Sequence, residues 1–134
     1  MPFKKLFKPS KAQDDGFSQS EREAIVDLLH FCMYADRHIA ISEDEMIEKV
    51  ARTMNWDPNI SYEYYEGKST GAARKALASK ESRAEFLKSL HERLKDKTSR
   101  SFALKVADDL MKVDGEKKQE EFDALSELKR ALRV

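Results

Sequence analysis

Apolar residues recur along most of this chain at intervals of three and four positions, the spacing that places them on one face of an α-helix. The clearest run is Ile25, Leu28, Leu29 and Cys32, at i, i+3, i+4 and i+7. Its 134 residues include only four glycines and three prolines, whereas turn-rich β folds need more of both. The sequence therefore predicts an all-α, single-domain helical bundle with one modest core.

Serine–glutamate pairs mark two expected helix starts. For the first, Ser18 precedes Glu21 by three positions and Ser20 precedes Glu23 by three; for the second, Ser42 precedes Glu45 by three. This is the spacing of a capping box, in which the hydroxyl and the carboxylate each bond a backbone N–H that the helix leaves unsatisfied. We therefore expect one helix to begin near residue 18 or 20 and another near residue 42.

Further along, the apolar pattern brings the expected total to about six helices. Asn55 tolerates the left-handed backbone that closes a helix, so the second helix is expected to end there. Residues 59–71 contain three tyrosines and two glycines, and we interpret them as a connector that packs aromatic rings against the core. Phe122 is expected among the buried residues of the last helix. The later helices are expected at about 72–79, 80–95, 99–113 and 116–132.

The chain is expected to divide into a flexible basic tail, residues 1–17, and a helical domain, residues 18–134. In the tail, Phe3, Leu6 and Phe7 alternate with lysines, which allows weak contact with a membrane surface as an alternative to a solvated tail. No apolar run is long enough for a transmembrane segment. We expect a cytoplasmic protein, with a peripheral position at the inner membrane as the alternative.

Charge is balanced overall but unevenly distributed. The formal net charge is zero, and a nucleic-acid-binding domain usually carries a basic excess. Residues 36–66 and 108–127 each carry eight acids and three bases, whereas residues 74–100 carry four acids and nine bases. No nucleic-acid partner is expected, and these zones could dock an unidentified protein. The single cysteine excludes an intrachain disulfide.

The sequence also contains an internal repeat. Leu28–Met54 aligns with Val106–Leu132 at an offset of 78 residues. Identical residues then coincide at Met33 and Met111, Asp36 and Asp114, Glu43 and Glu121, and Arg52 and Arg130. Because a lone helical hairpin cannot bury its apolar faces, the repeat predicts two duplicated αα-hairpins that pack together.

The turn within each copy carries a recognisable motif. Residues 35–43 and 113–121 resemble the Ala-Asp-Gly-x-Ile-x-x-x-Glu hallmark of TerB-like domains, helical bacterial domains associated with tellurite resistance. The resemblance would cover about residues 20–133. It implies an all-α fold, a link to tellurite resistance or a wider stress response, and a divalent-metal site formed by acidic residues.

Four acidic residues of these turns form the first candidate site. Asp36, Glu43, Asp114 and Glu121 could act as oxygen ligands for Ca²⁺ or Mg²⁺. Alternatively, the aspartates only shape the turns and the glutamates only favour the positive ends of helix dipoles. The expected function is accordingly a non-enzymatic stress-response protein that binds a divalent cation, and the alternative is a metal-free protein–protein interaction module.

A second polar group lies on the first helix. Asp27, His30 and Tyr34 share one face, and an Asp and a His three positions apart can bind a metal or act as an acid–base pair. We favour the simpler interpretation of a half-exposed polar face. The chain has no G-x-S-x-G, P-loop or G-x-G-x-x-G motif, so an enzyme is not expected. A hydrolase using Asp27, His30 and Asp36 is the remaining alternative.

Overall fold

The computed structural model describes residues 16–35, 41–112 and 119–134, and these ranges contain six α-helices and no β-strand. The expected all-α, single-domain bundle is confirmed. The helices are α1 (Gln19–Ala35), α2 (Ile41–Thr53), α3 (Tyr62–Ala78), α4 (Lys80–Arg93), α5 (Lys97–Met111) and α6 (Gln119–Leu132).

Helix α1 is the centre of the bundle. It packs against each of the other five described helices, and every residue from Ala24 to Met33 is buried. A helix that is enclosed on all sides must be apolar nearly all round. Only Asp27 and His30 break this apolar run with strongly polar side chains, so both need partners from the surrounding helices.

The first helix start follows the expected capping box. The backbone N–H of Ser18 donates to Glu21 Oε1 at 2.8 Å, and the Glu21 N–H donates to Ser18 Oγ at 3.1 Å. At the end of the second helix, Asn55 has a φ of 61°, the left-handed geometry expected from its position. These local signals were sufficient to predict the two helix ends, because they depend only on neighbouring residues.

The interpretation of residues 59–71 as a connector is wrong, because α3 runs without interruption from Tyr62 to Ala78. The expected packing of aromatic rings against the core is found at Tyr62 and Tyr65. Ser61 caps it by accepting a hydrogen bond from the Tyr64 N–H at 3.2 Å. The two glycines face open space: apart from their chain neighbours and the nearby backbone of the helix itself, no described atom lies within 4 Å of where a Cβ would be. The buried face has helical spacing and consists of Tyr62, Tyr65, Ser69, Ala73 and Ala76.

The expected burial of Phe122 is also wrong, since 45% of this residue is exposed. The buried face of α6 is formed by Ala124, Leu125, Leu128 and Leu132. Because the buried face includes Ala124, it is rotated away from Phe122, and Phe122 lies at its edge. In the described ranges, no helix has both the length and the apolarity required to cross a membrane.

Candidate metal centre

Asp27 is held in the core by three donors from two other helices. Its Oδ1 accepts hydrogen bonds from the Tyr65 hydroxyl at 2.8 Å and from Ser69 Oγ at 2.6 Å, both on α3. Its Oδ2 accepts a hydrogen bond from the Arg93 guanidinium of α4 at 2.8 Å. A buried carboxylate is tolerated only when it is compensated in this way, so Asp27 has an evident structural role.

His30 lies one helical turn further along α1 and is completely buried. Its Nδ1 is 2.8 Å from Ser69 Oγ, the same hydroxyl that bonds Asp27. Its Nε2 is buried and has no hydrogen-bond partner among the described residues. Buried polar atoms are nearly always paired, so this nitrogen calls for an explanation.

Two carboxylates from different helices complete a group around His30. A ring nitrogen of His30, an oxygen of Asp44 on α2 and an oxygen of Glu66 on α3 lie within 4.8 Å of one another. Because Ser69 occupies Nδ1, the available nitrogen is Nε2. The two carboxylates are half-buried, so they lie between the buried imidazole and solvent. Imidazole and carboxylate are both common ligands of divalent metal ions.

The electrostatics of the group favour a lone pair on the imidazole and a partner for the carboxylates. Burial lowers the pKa of His30 to about 4, against the opposing charges of Asp44 and Asp27. The imidazole is therefore neutral at neutral pH. Burial, the charge of Asp44 and a hydrogen bond with it raise the pKa of Glu66 to about 7. A dication would relieve the repulsion between these carboxylates.

Tyr62 adds a second unsatisfied atom beside the group. Its hydroxyl is buried and lacks a hydrogen-bond partner in the described part of the chain. Burial raises the pKa of Tyr62, and the charges of Glu66 and Asp44 raise it further. Its ring meets the Trp56 ring edge-on at 5.5 Å. The hydroxyl thus stays protonated and can donate to an additional ligand.

The four acidic turn residues remain an untested prediction. Asp36 and Asp114 lie outside the described residues, and so does the side chain of Glu121. Glu43 is buried, with 2% of its surface exposed. The structure therefore does not bring these four residues together or separate them.

The interpretation of Asp27 and His30 as part of a half-exposed polar face is wrong, because they are 5% and 0% exposed. Tyr34 takes no part in their network and pairs with Arg74, whose guanidinium lies 5.6 Å from the tyrosine ring. No sequence pattern pointed directly to Asp44 or Glu66. Asp44 lies in a run of acids, and Glu66 falls in the segment interpreted as a connector.

The second copy of the repeat has no equivalent group among the described residues. Asp108 aligns with His30 but pairs with Lys112 at 3.1 Å, and Asp109 pairs with Lys105 at 3.5 Å. Both pairs are ordinary i,i+4 neighbours on a helix surface. Phe122 aligns with Asp44. Among the described residues, the candidate centre is therefore a feature of α1, α2 and α3.

Part of the basic middle segment is structural. Arg100 donates to the backbone oxygens of Leu94 at 2.6 Å and His91 at 3.1 Å, which satisfies the carbonyl end of α4. Arg93 is committed to Asp27. These two cations hold helices together, so a docking surface there would depend on the remaining seven lysines and arginines of residues 74–100.

In its described part, the protein is a six-helix bundle with a buried imidazole facing two half-buried carboxylates. Comparisons with protein-family models, with curated proteins and with solved structures find no match.

Proposed function

We propose that this chain is a non-enzymatic helical protein that binds a divalent cation between His30, Asp44 and Glu66. The observation that carries the proposal is the buried Nε2 of His30, which has no partner among the described residues, in a histidine with one ring nitrogen within 4.8 Å of two carboxylate oxygens. A cation would give this nitrogen a partner and neutralise both acids. Its ligands come from three helices, so binding would also link α1, α2 and α3.

The order of the neighbouring side chains argues against a hydrolase. A catalytic triad places the histidine between the acid and the nucleophile. Here Ser69 lies between Asp27 and His30, and its hydroxyl donates to Asp27 at 2.6 Å. Ser69 is also only 1% exposed, so its oxygen is not accessible to a substrate. We therefore assign this network a structural role.

We further propose that the chain is a TerB-like protein of the bacterial stress response, located in the cytoplasm. The two turn motifs support this assignment, and so does the burial of equivalent positions in the two proposed hairpins. The buried pairs are Leu28 and Val106, Cys32 and Leu110, Ile47 and Leu125, and Met54 and Leu132. The family setting suggests a metal-responsive scaffold, and the partner is a protein still to be identified.

Calorimetric titration of chelator-stripped protein with Zn²⁺, Mn²⁺, Mg²⁺ and Ca²⁺ tests cation binding. We expect at least one ion to bind with a stoichiometry of one and to raise the melting temperature, because a ligand of the folded state stabilises it. His30→Gln should abolish binding. His91→Gln is the matched control, since His91 is a half-buried histidine of α4 outside the group.

Two outcomes would overturn this assignment. If no ion binds, the chain is better described as a metal-free interaction module. If binding survives His30→Gln but is lost in the double variant Asp36→Asn/Asp114→Asn, the cation belongs to the acidic turns.

A further inference from the structure

We propose that the site prefers a borderline transition-metal dication such as Zn²⁺ over Ca²⁺ and Mg²⁺, and that Ser69 and Asp27 are positioning residues that keep His30 Nε2 unprotonated for it. This inference rests on the proposed function, because it specifies the ion and the supporting residues of the same site.

Counting protons along the hydrogen-bonded chain identifies the tautomer of His30. Ser69 has one hydroxyl proton, and at 2.6 Å from Asp27 Oδ1 it donates that proton to the carboxylate. Ser69 Oγ must then act as the acceptor in its 2.8 Å contact with His30 Nδ1. A neutral imidazole carries one proton, so Nδ1 is the protonated nitrogen and Nε2 carries the lone pair.

The other hydrogen bonds of Asp27 keep these protons on Ser69 Oγ and His30 Nδ1. Tyr65 and Arg93 both donate to the carboxylate, at 2.8 Å each. With these donors in place, Asp27 is an acceptor only, and it cannot return a proton to Ser69. A histidine metal ligand usually donates its second N–H to an acidic group or carbonyl, which orients the ring and raises its basicity. Here the Ser69 hydroxyl lies between the His30 N–H and the Asp27 carboxylate, so the histidine reaches the acidic group through one additional hydroxyl.

The ligand set argues for the class of ion. Ca²⁺ takes about six to eight oxygen ligands, and Mg²⁺ prefers oxygen and retains several waters. The group offers one nitrogen and two carboxylates, and imidazole suits Zn²⁺ and its neighbours. Ligands around a tetrahedral zinc ion are roughly 3.4 Å apart. The separations within 4.8 Å therefore need only small side-chain rotations to close.

Comparison of the affinities for different ions tests the selectivity of the site. Chelator-stripped protein should bind Zn²⁺ at least 100-fold more tightly than Mg²⁺ or Ca²⁺ in calorimetric titration. Co²⁺ should give visible absorption bands that change in Asp44→Asn and Glu66→Gln, because both variants alter the ligand set. Equal affinity for Zn²⁺ and Mg²⁺ would overturn the selectivity and leave cation binding itself intact.

The tautomer is tested without metal by long-range ¹H–¹⁵N correlation spectra of the imidazole. We expect the His30 pattern of a proton on Nδ1 and a lone pair on Nε2. A proton on Nε2 in the unaltered protein would overturn the positioning role, even if every variant failed to fold.

Ser69→Ala then separates positioning from general stability. It should lower Zn²⁺ affinity about 10–100-fold and change the His30 tautomer pattern while the helical circular dichroism is retained. Thr70→Ala is the matched control, because it removes the hydroxyl of the next residue of α3, which donates to the Gly67 backbone oxygen and lies outside the Asp27–Ser69–His30 chain. It should keep the affinity within about threefold. Unchanged affinity and tautomer in Ser69→Ala would refute the positioning role.

Loss of cation binding and loss of the positioning role give different experimental results. Absence of any cation binding, or binding insensitive to His30→Gln, overturns the proposed function together with the selectivity. Binding that requires His30 but ignores Ser69 overturns only the positioning role.

Discussion

The Arg93 guanidinium, at the last residue of α4, bonds Asp27 in the middle of α1, 66 residues earlier in the chain, at 2.8 Å. The side chain of Asp27 is 7% exposed and that of Arg93 is 24% exposed. This ion pair links α4 to the central helix α1. Through the Ser69 hydroxyl, Asp27 also connects to His30, so this ion pair is linked to the candidate metal centre.

Removing Arg93 should destabilise the fold. Arg93→Met leaves the Asp27 carboxylate buried with only its two hydroxyl donors, and we expect the free energy of unfolding to fall by about 2–3 kcal/mol. Urea denaturation measures this change. Lys88→Met, an exposed position on the same helix, should change stability by less than about 0.5 kcal/mol. Equal effects of the two substitutions would mean that the ion pair adds nothing.

Gly67→Ala should stabilise the protein. Gly67 is exposed in the interior of α3, and apart from its chain neighbours and the nearby backbone of the helix itself, no described atom lies within 4 Å of the added Cβ. Alanine is a better helix former, so the free energy of unfolding should rise by about 0.5–1 kcal/mol. Gly16 has a φ of 88°, and Gly16→Ala should give no gain. A loss of stability in Gly67→Ala would argue against a continuous α3.

Two substitutions in α6 should differ sharply. Leu128 is fully buried, and Leu128→Ala should reduce the free energy of unfolding by about 2–5 kcal/mol, since it removes apolar contacts and leaves a cavity. Phe122 is 45% exposed, so Phe122→Ala should cost less than about 0.5 kcal/mol. Chemical denaturation of both variants checks which face of α6 is buried. A larger loss of stability in Phe122→Ala than in Leu128→Ala would show that the assigned face is wrong.

The Cys32 thiol should react slowly in the native protein. It is buried on α1, so a reagent such as dithionitrobenzoate should label it quickly only after denaturation. The rate in native buffer should rise as urea approaches the unfolding midpoint, because access requires opening of the core. Rapid native labelling at all urea concentrations would contradict the central position of α1.

Local signals in the sequence were sufficient to predict much of the fold. The Ser18–Glu21 capping box and the left-handed Asn55 depend on neighbouring residues, and both are found as expected. The error at residues 59–71 came from giving Gly67 and Gly71 too much weight. Glycines outside the buried face weaken a helix but do not end it when that face is well packed.

The candidate metal centre was only partly predictable, because it depends on packing. Asp27 and His30 were recognised as a polar pair, but their burial follows from the enclosure of α1 by the other helices. Asp44 and Glu66 come from α2 and α3, and no sequence spacing relates them to His30. Side chains brought together only by packing leave no periodic signal in one sequence.

The enclosure of α1 also has a consequence for synthesis on the ribosome. The helix ends at Ala35, but α6, which covers part of it, ends at Leu132. At about 5–20 residues per second, the emerging chain must hold a strongly apolar helix without its full covering for several seconds. During that interval α1 is a natural binding segment for a chaperone, and slower translation would prolong its exposure.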